Sequence, residues 1–154
     1  RMKLLKDAGG SSAASAKEVA EQSAITFSIL LKPEHIEENT LGPNGIVQAG
    51  KKGLIHVEMS TMHPSWQKTL ADKLAAKEIE MLDAPISGSH NRADTRTISI
   101  MVGGGNPEVF ERVRLILEPL AVDVTHTGAS GLSVSSIVSR CSYIDRSPSI
   151  RARS

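Results

Sequence analysis

Five short apolar runs recur along the chain, most of them separated by helix-patterned stretches, and this alternation constrains the fold more than any other feature. The runs are AITFSILL (24–31), LIHVEMS (54–60), IEMLDAP (79–85), TISIMVGG (97–104) and VDVTHTG (122–128). At this length each reads as a strand rather than a helix. Between them, Ser15 with Glu18 three residues on forms a capping-box pattern that opens a short helix over 15–23. Pro33 begins another, which ends at the turn Gly42-Pro43-Asn44-Gly45, and IVQAGKKG follows as a half-turn or short helix. Pro64 begins a third helix, with Trp66, Leu70 and Leu74 at helical spacing. Asn106 caps a fourth, with Val109, Val113 and Ile116 on one face. The order predicts an α/β fold with at least part of its sheet parallel. The runs at 79–85 and 97–104 have no helix between them, so an antiparallel Asp83–Gly104 pairing is open to them. Beyond Gly128 the pattern decays into a Ser- and Arg-rich stretch, expected to be ragged or disordered after about residue 140.

Composition narrows the function classes. The chain of 154 residues suits one ordinary domain, and 40% hydrophobic with 23% charged residues suits a soluble globular one. A net charge of +1 and 3% aromatics argue against a nucleic-acid partner. No apolar run approaches a membrane span, and RMKLLKDAGG lacks the apolar core of a signal peptide. The single cysteine, Cys141, excludes a disulfide framework and fits a reducing, cytoplasmic setting. Arg1 ahead of Met2 leaves two readings: a missing upstream segment, or a start at Met2.

Several stretches carry possible chemistry. In LDAPISGSHNRADTRTISIMVGG (82–104), Ser87-Gly88-Ser89 is either a plain turn or a ligand loop, where a glycine lets backbone approach a ligand closely. Ser60-Thr61 suits a helix N-cap before Pro64, a role compatible with cofactor contact. Gly103-Gly104-Gly105 precedes a helix but lacks the Gly-Lys-Ser/Thr of a phosphate loop, so it reads as turn and cap. His35, His56, His63, His90 and His126 show no metal-ligand spacing, and His126 reads as structural. Glu58 and Asp83 read as strand-end hydrogen-bonding groups. Arg92 and Arg96 are either anion-binding or solvated loop charges.

Taken in order, LLKPEHIEENTLGPNGI (30–46), VEMSTMHP (57–64), LDAPISGS…TISIMVGG and HTGASG (126–131) resemble the β-hydroxyacid dehydrogenase family, which includes 3-hydroxyisobutyrate dehydrogenase and tartronate semialdehyde reductase. The match covers roughly residues 3–131. The resemblance implies a partial Rossmann-type NAD(P)-binding domain over 1–131, a degenerate tail over 132–154, and the cofactor across the strand carboxyl ends. It places Leu30 and Leu31 near the ribose of NAD or NADP, and Thr61 beside the nicotinamide. Ser87, Gly88 and Ser89 would hold a small carboxylate substrate. The family's first strand and Gly-x-Gly-x-x-Gly turn are expected ahead of Arg1, with the second strand missing or reduced to KLLKDAGG. A helical domain is expected after the tail. Ile137 falls where the family has its catalytic lysine, Arg140 and Cys141 replace an Asn pair, and Arg92 and Arg96 stand at glycine positions. The resemblance therefore implies a hydride-transfer oxidoreductase fragment that is inactive as this chain, or a non-catalytic binding or oligomerising module.

Overall fold

The structure, a computed structural model, describes residues 2–134. Three parallel strands form one side of its sheet: β1 (Ile25–Ser28), β2 (Ile55–Glu58) and β3 (Glu80–Asp83), adjacent in that order. Each is four residues long, shorter than its apolar run. The crossovers are helical. α3 (Pro33–Leu41) and a 3-10 turn at Ile46–Ala49 join β1 to β2, and α4 (Pro64–Ala75) joins β2 to β3. Ahead of β1 lie α1 (Met2–Asp7) and α2 (Ala16–Gln22), the latter capped by Ser15, whose hydroxyl accepts from the Glu18 N–H.

After β3 the direction reverses. Leu82 and Asp83 pair antiparallel with Gly104 and Gly103 of β5 (Ile98–Gly104), the arrangement left open by the sequence. The short strand β4 (Ile86–Ser87) continues the hairpin against Ile100 and Ser99. α6 (Pro107–Leu117) then crosses over, and β6 (Ala121–Gly128) runs parallel to β5.

The sheet sorts its residues by parity. In register, Thr26–His56–Met81 and Ser28–Glu58–Asp83 share one face, and Ile55, Val57 and Leu82 share the other. The first face packs on Ala20 of α2, Ile36 of α3 and Leu70 and Leu74 of α4. The second packs with Ile100 and Val102 of β5 on Val109, Val113 and Leu117 of α6.

Four sequence readings change. The buried row of α6 ends on Leu117, and Ile116 is 43% exposed. Two steps of four residues drift only slowly around a 3.6-residue helix, so 109, 113 and 117 stay under the sheet. KLLKDAGG is no remnant strand, since Met2–Asp7 is helical. The polar loop after Ser89 holds one further short helix, α5 (His90–Asp94). Gly103 and Gly104 belong to β5 rather than to a turn. A Cβ on Gly103 would stand 2.8 Å from an Asp83 carboxylate oxygen, and one on Gly104 would stand 2.5 Å from Ser130 Oγ. Close packing, not phosphate binding, accounts for those glycines.

Candidate functional site

The carboxyl ends of β1, β2 and β3 meet at one rim, where their last residues Ser28, Glu58 and Asp83 lie in register. Glu58 and His56 are fully buried there. The Glu58 carboxylate accepts from the Ser28 hydroxyl and from the Ser60 N–H at 2.8 Å. His56 adds its imidazole, with Nδ1 3.1 Å from Thr26 Oγ1 and Nε2 3.4 Å from Ser28 Oγ and 3.7 Å from the carboxylate. Burial alone raises the Glu58 pKa, but the bonds from His56, Ser28 and Ser60 outweigh it and hold the carboxyl below the ordinary glutamate range.

This network passes its geometry outward. Ser60 Oγ accepts from the Leu30 N–H at 2.7 Å, so the chain leaving β1 is tied to the chain leaving β2. The Met59 N–H donates to the Ser28 carbonyl and the Ala84 N–H to the Glu58 carbonyl, each at 2.8 Å, so all three exits step along the rim together. Asp83 anchors the next layer, accepting from the Gly131 N–H at 3.1 Å and from the Ser133 hydroxyl.

The site residues named from the sequence fall into two groups. Leu30 is half-buried, Leu31 is 99% exposed and Thr61 is exposed; the Leu30–Ser60 bond brings the three together. A cavity of about 250 Å³ opens at Leu30, lined also by Ser28 and Ile29 of the β1 end and by Ala16 and Val19 of α2. Ser87, Gly88 and Ser89 lie one hairpin away, past the end of β3. Gly88 takes φ +143°, a conformation open to glycine. Ser89 precedes α5 without capping it, so its hydroxyl stays free of that helix. Ile137, Arg140 and Cys141 lie outside the described residues.

The N-cap reading of Ser60-Thr61 is replaced. His63 caps α4, its Nδ1 accepting from the Ser65 N–H, while Ser60 serves the rim. Sequence reasoning also passed over Ser28, His56 and Ser133 as rim residues. A signal for the first two exists: Thr26/Ser28 and His56/Glu58 are polar residues at alternate positions inside apolar runs, which places them on one sheet face. His126 is structural, its Nε2 3.0 Å from the Gly104 carbonyl and its ring 4.7 Å from that of Phe110. Among the described residues no three His, Cys, Asp or Glu side chains gather to hold a metal, and no helix is long and apolar enough to cross a membrane.

Parallel strands joined by helical crossovers, with their polar exits gathered at one rim, define a dinucleotide-binding α/β domain. Comparison narrows this further. Residues 1–128 match the NAD binding domain of 6-phosphogluconate dehydrogenase, and the chain belongs to that family. It is 37% identical over 123 residues to 2-hydroxy-3-oxopropionate reductase of Escherichia coli, covering 80% of this chain and 42% of that one. It is 36% identical over 115 residues to 2-(hydroxymethyl)glutarate dehydrogenase of Eubacterium barkeri, covering 75% and 38%. The crystal structure of 3-hydroxyisobutyrate dehydrogenase from Salmonella typhimurium shares the fold, with a TM-score of 0.79 at 23% identity over 90% of this chain and 48% of that one. The chain thus spans about two-fifths of the length of the curated relatives it matches.

Proposed function

We propose that this chain is the strand-end and substrate-loop part of an NAD(P)-dependent oxidoreductase acting on small β-hydroxyacids or semialdehydes. The observation that supports the reading is the Leu30–Ser60 bond, which ties the exits of β1 and β2, next to Leu31 and Thr61, at the strand carboxyl ends. The residues present fit one side of a dinucleotide: an exposed strand exit, an exposed threonine and an adjoining cavity. No Gly-x-Gly-x-x-Gly turn occurs in the sequence, so the pyrophosphate cradle of the family is not among them. When bound, the nicotinamide supplies the hydride. In this reading Leu30 and Leu31 flank the ribose, Thr61 orients the ring, and Ser87, Gly88 and Ser89 hold the substrate carboxylate by hydroxyl and N–H donors. Residues 1–131 form the domain and 132–154 follow it, with Ser133 still bonded to Asp83 at the rim.

Isoleucine at 137 exchanges no proton, and a general acid–base group typically contributes about 10²–10⁴-fold. Hydride transfer by the chain itself is therefore negligible. The test is a titration with NADH and NADPH, followed by single-turnover reduction of succinic semialdehyde or glyoxylate. The expected result is measurable binding that Ser60→Ala weakens, with no turnover. Ready turnover would overturn the inactivity, and an absence of binding would overturn the dinucleotide reading. The same observations support a second reading, a non-catalytic binding or oligomerising module, through Ile137 and the apolar exposure at Phe27, Ile29 and Leu31.

A further inference from the structure

The hairpin tip beyond β3 is basic, and one of its arginines is packed onto the candidate substrate loop. A Cβ built on Gly88 would stand 3.3 Å from Arg92 Cβ and 3.4 Å from Arg92 Cδ, so the arginine stem lies across the glycine. Residues 88–97 contain two arginines and one acid, Asp94. Neither Arg92 nor Arg96 forms an ion pair among the described residues. By contrast, Arg114 of α6 pairs with both Glu111 and Glu118.

The tip is also ordered by its own bonds. The Thr97 N–H donates to the Arg92 carbonyl at 2.8 Å, the Arg96 N–H to the Ala93 carbonyl at 3.1 Å, and the Thr95 hydroxyl to the Asn91 carbonyl at 2.9 Å. Arg96 is held at φ +56°, a region that costs a non-glycine residue energy and that concentrates at functional loops. Two exposed arginines beside a serine-rich loop, one of them at a strained backbone position and neither ion-paired among the described residues, have the chemistry of an anion clamp.

We propose that Arg92, assisted by Arg96, makes this loop select substrates that carry a second anionic group, a carboxylate or phosphate, over simple monocarboxylates. The inference rests on the substrate-loop reading of Ser87–Ser89. Those residues take the first carboxylate, and the Arg92 guanidinium takes the second group with paired N–H donors.

The test is calorimetric titration of the 154-residue chain with 3-hydroxypropionate, 3-hydroxyglutarate and 3-phosphoglycerate, at an ionic strength of about 0.15 M to screen diffuse attraction. At least one dianion is expected to bind about tenfold more tightly than the monocarboxylate. Which of the two does so assigns carboxylate or phosphate. Arg92→Gln should abolish the margin, read as the ratio of dianion to monocarboxylate affinity within the same variant, Arg92→Lys should restore part of it, and Arg112→Gln on α6 should leave both the ratio and the monocarboxylate affinity intact. Equal affinities, a margin that survives Arg92→Gln, or no binding of any probe would overturn the inference. Binding of NADH without dianion selectivity would sink this inference alone. Arg92-dependent dianion binding without NADH binding would sink the dinucleotide reading alone.

Discussion

Burying a carboxylate beside an imidazole, under a sheet face, is costly unless every oxygen is served, and Glu58 is served by Ser28 and Ser60 with His56 alongside. Its folded pKa is depressed, so its contribution to stability is full above the unfolded value of about 4.3 and is lost as pH falls through the folded value. Chemical denaturation at several pH values should show that loss on acidification below about pH 4.3. Glu58→Gln should be about 2 kcal/mol less stable at neutral pH and have a flatter acid profile. A wild-type profile as flat as that of the variant would disprove the assignment. Gly104 sets a second test at this scale. With φ +81° and neighbours at 2.5 Å and 2.9 Å from a built Cβ, Gly104→Ala should lower stability by more than about 1 kcal/mol in thermal unfolding. Arg96→Gly should do the opposite, by about 0.5–1 kcal/mol, because it relieves a left-handed backbone.

At the scale of elements, most of the architecture was legible because period and punctuation agreed. Ser15, Pro33, Pro64 and Asn106 mark helix starts that the structure keeps. What could not be read was set by tertiary context. Ile116 and Leu117 are equally apolar, and only the direction of the sheet beneath α6 decides which is buried. Denaturation of Leu117→Ala should show a cost of about 2–5 kcal/mol, and of Ile116→Ala less than about 1. The site was legible in the same uneven way. Serines and glycines in LDAPISGS announce a loop, but the partner of Ser60 lies 30 residues upstream at Leu30, and no local pattern records that bond. Likewise Asp83 meets Gly131 and Ser133 some 50 residues later, through a pairing that exists only once β5 and β6 have returned the chain to the rim.

For the whole molecule, two apolar margins face outward: Phe27, Ile29 and Leu31 along and beyond β1, and Leu120 and Val122 at the start of β6. β1 pairs only with β2 among the described residues, so its outer edge is open to another strand. Self-association is the expected behaviour in size-exclusion with light scattering, and Ile29→Lys should reduce it. A sharp monomer peak for the unaltered chain would show that the edge is not sticky. A different consequence follows from the reversal at β3. The hairpin of β4 and β5 is stitched to β3 through only two residue pairs, Leu82–Gly104 and Asp83–Gly103. Its tip begins at Gly88, five residues beyond Asp83, roughly 17 Å along an extended chain. The loop at that tip is therefore interchangeable: residues 88–97 can be lengthened, recharged or exchanged between relatives while the rim that holds Leu30 and Thr61 keeps its bonds. Under the function proposed above, recognition of the reactant and recognition of the dinucleotide can then diverge at separate rates within one small domain.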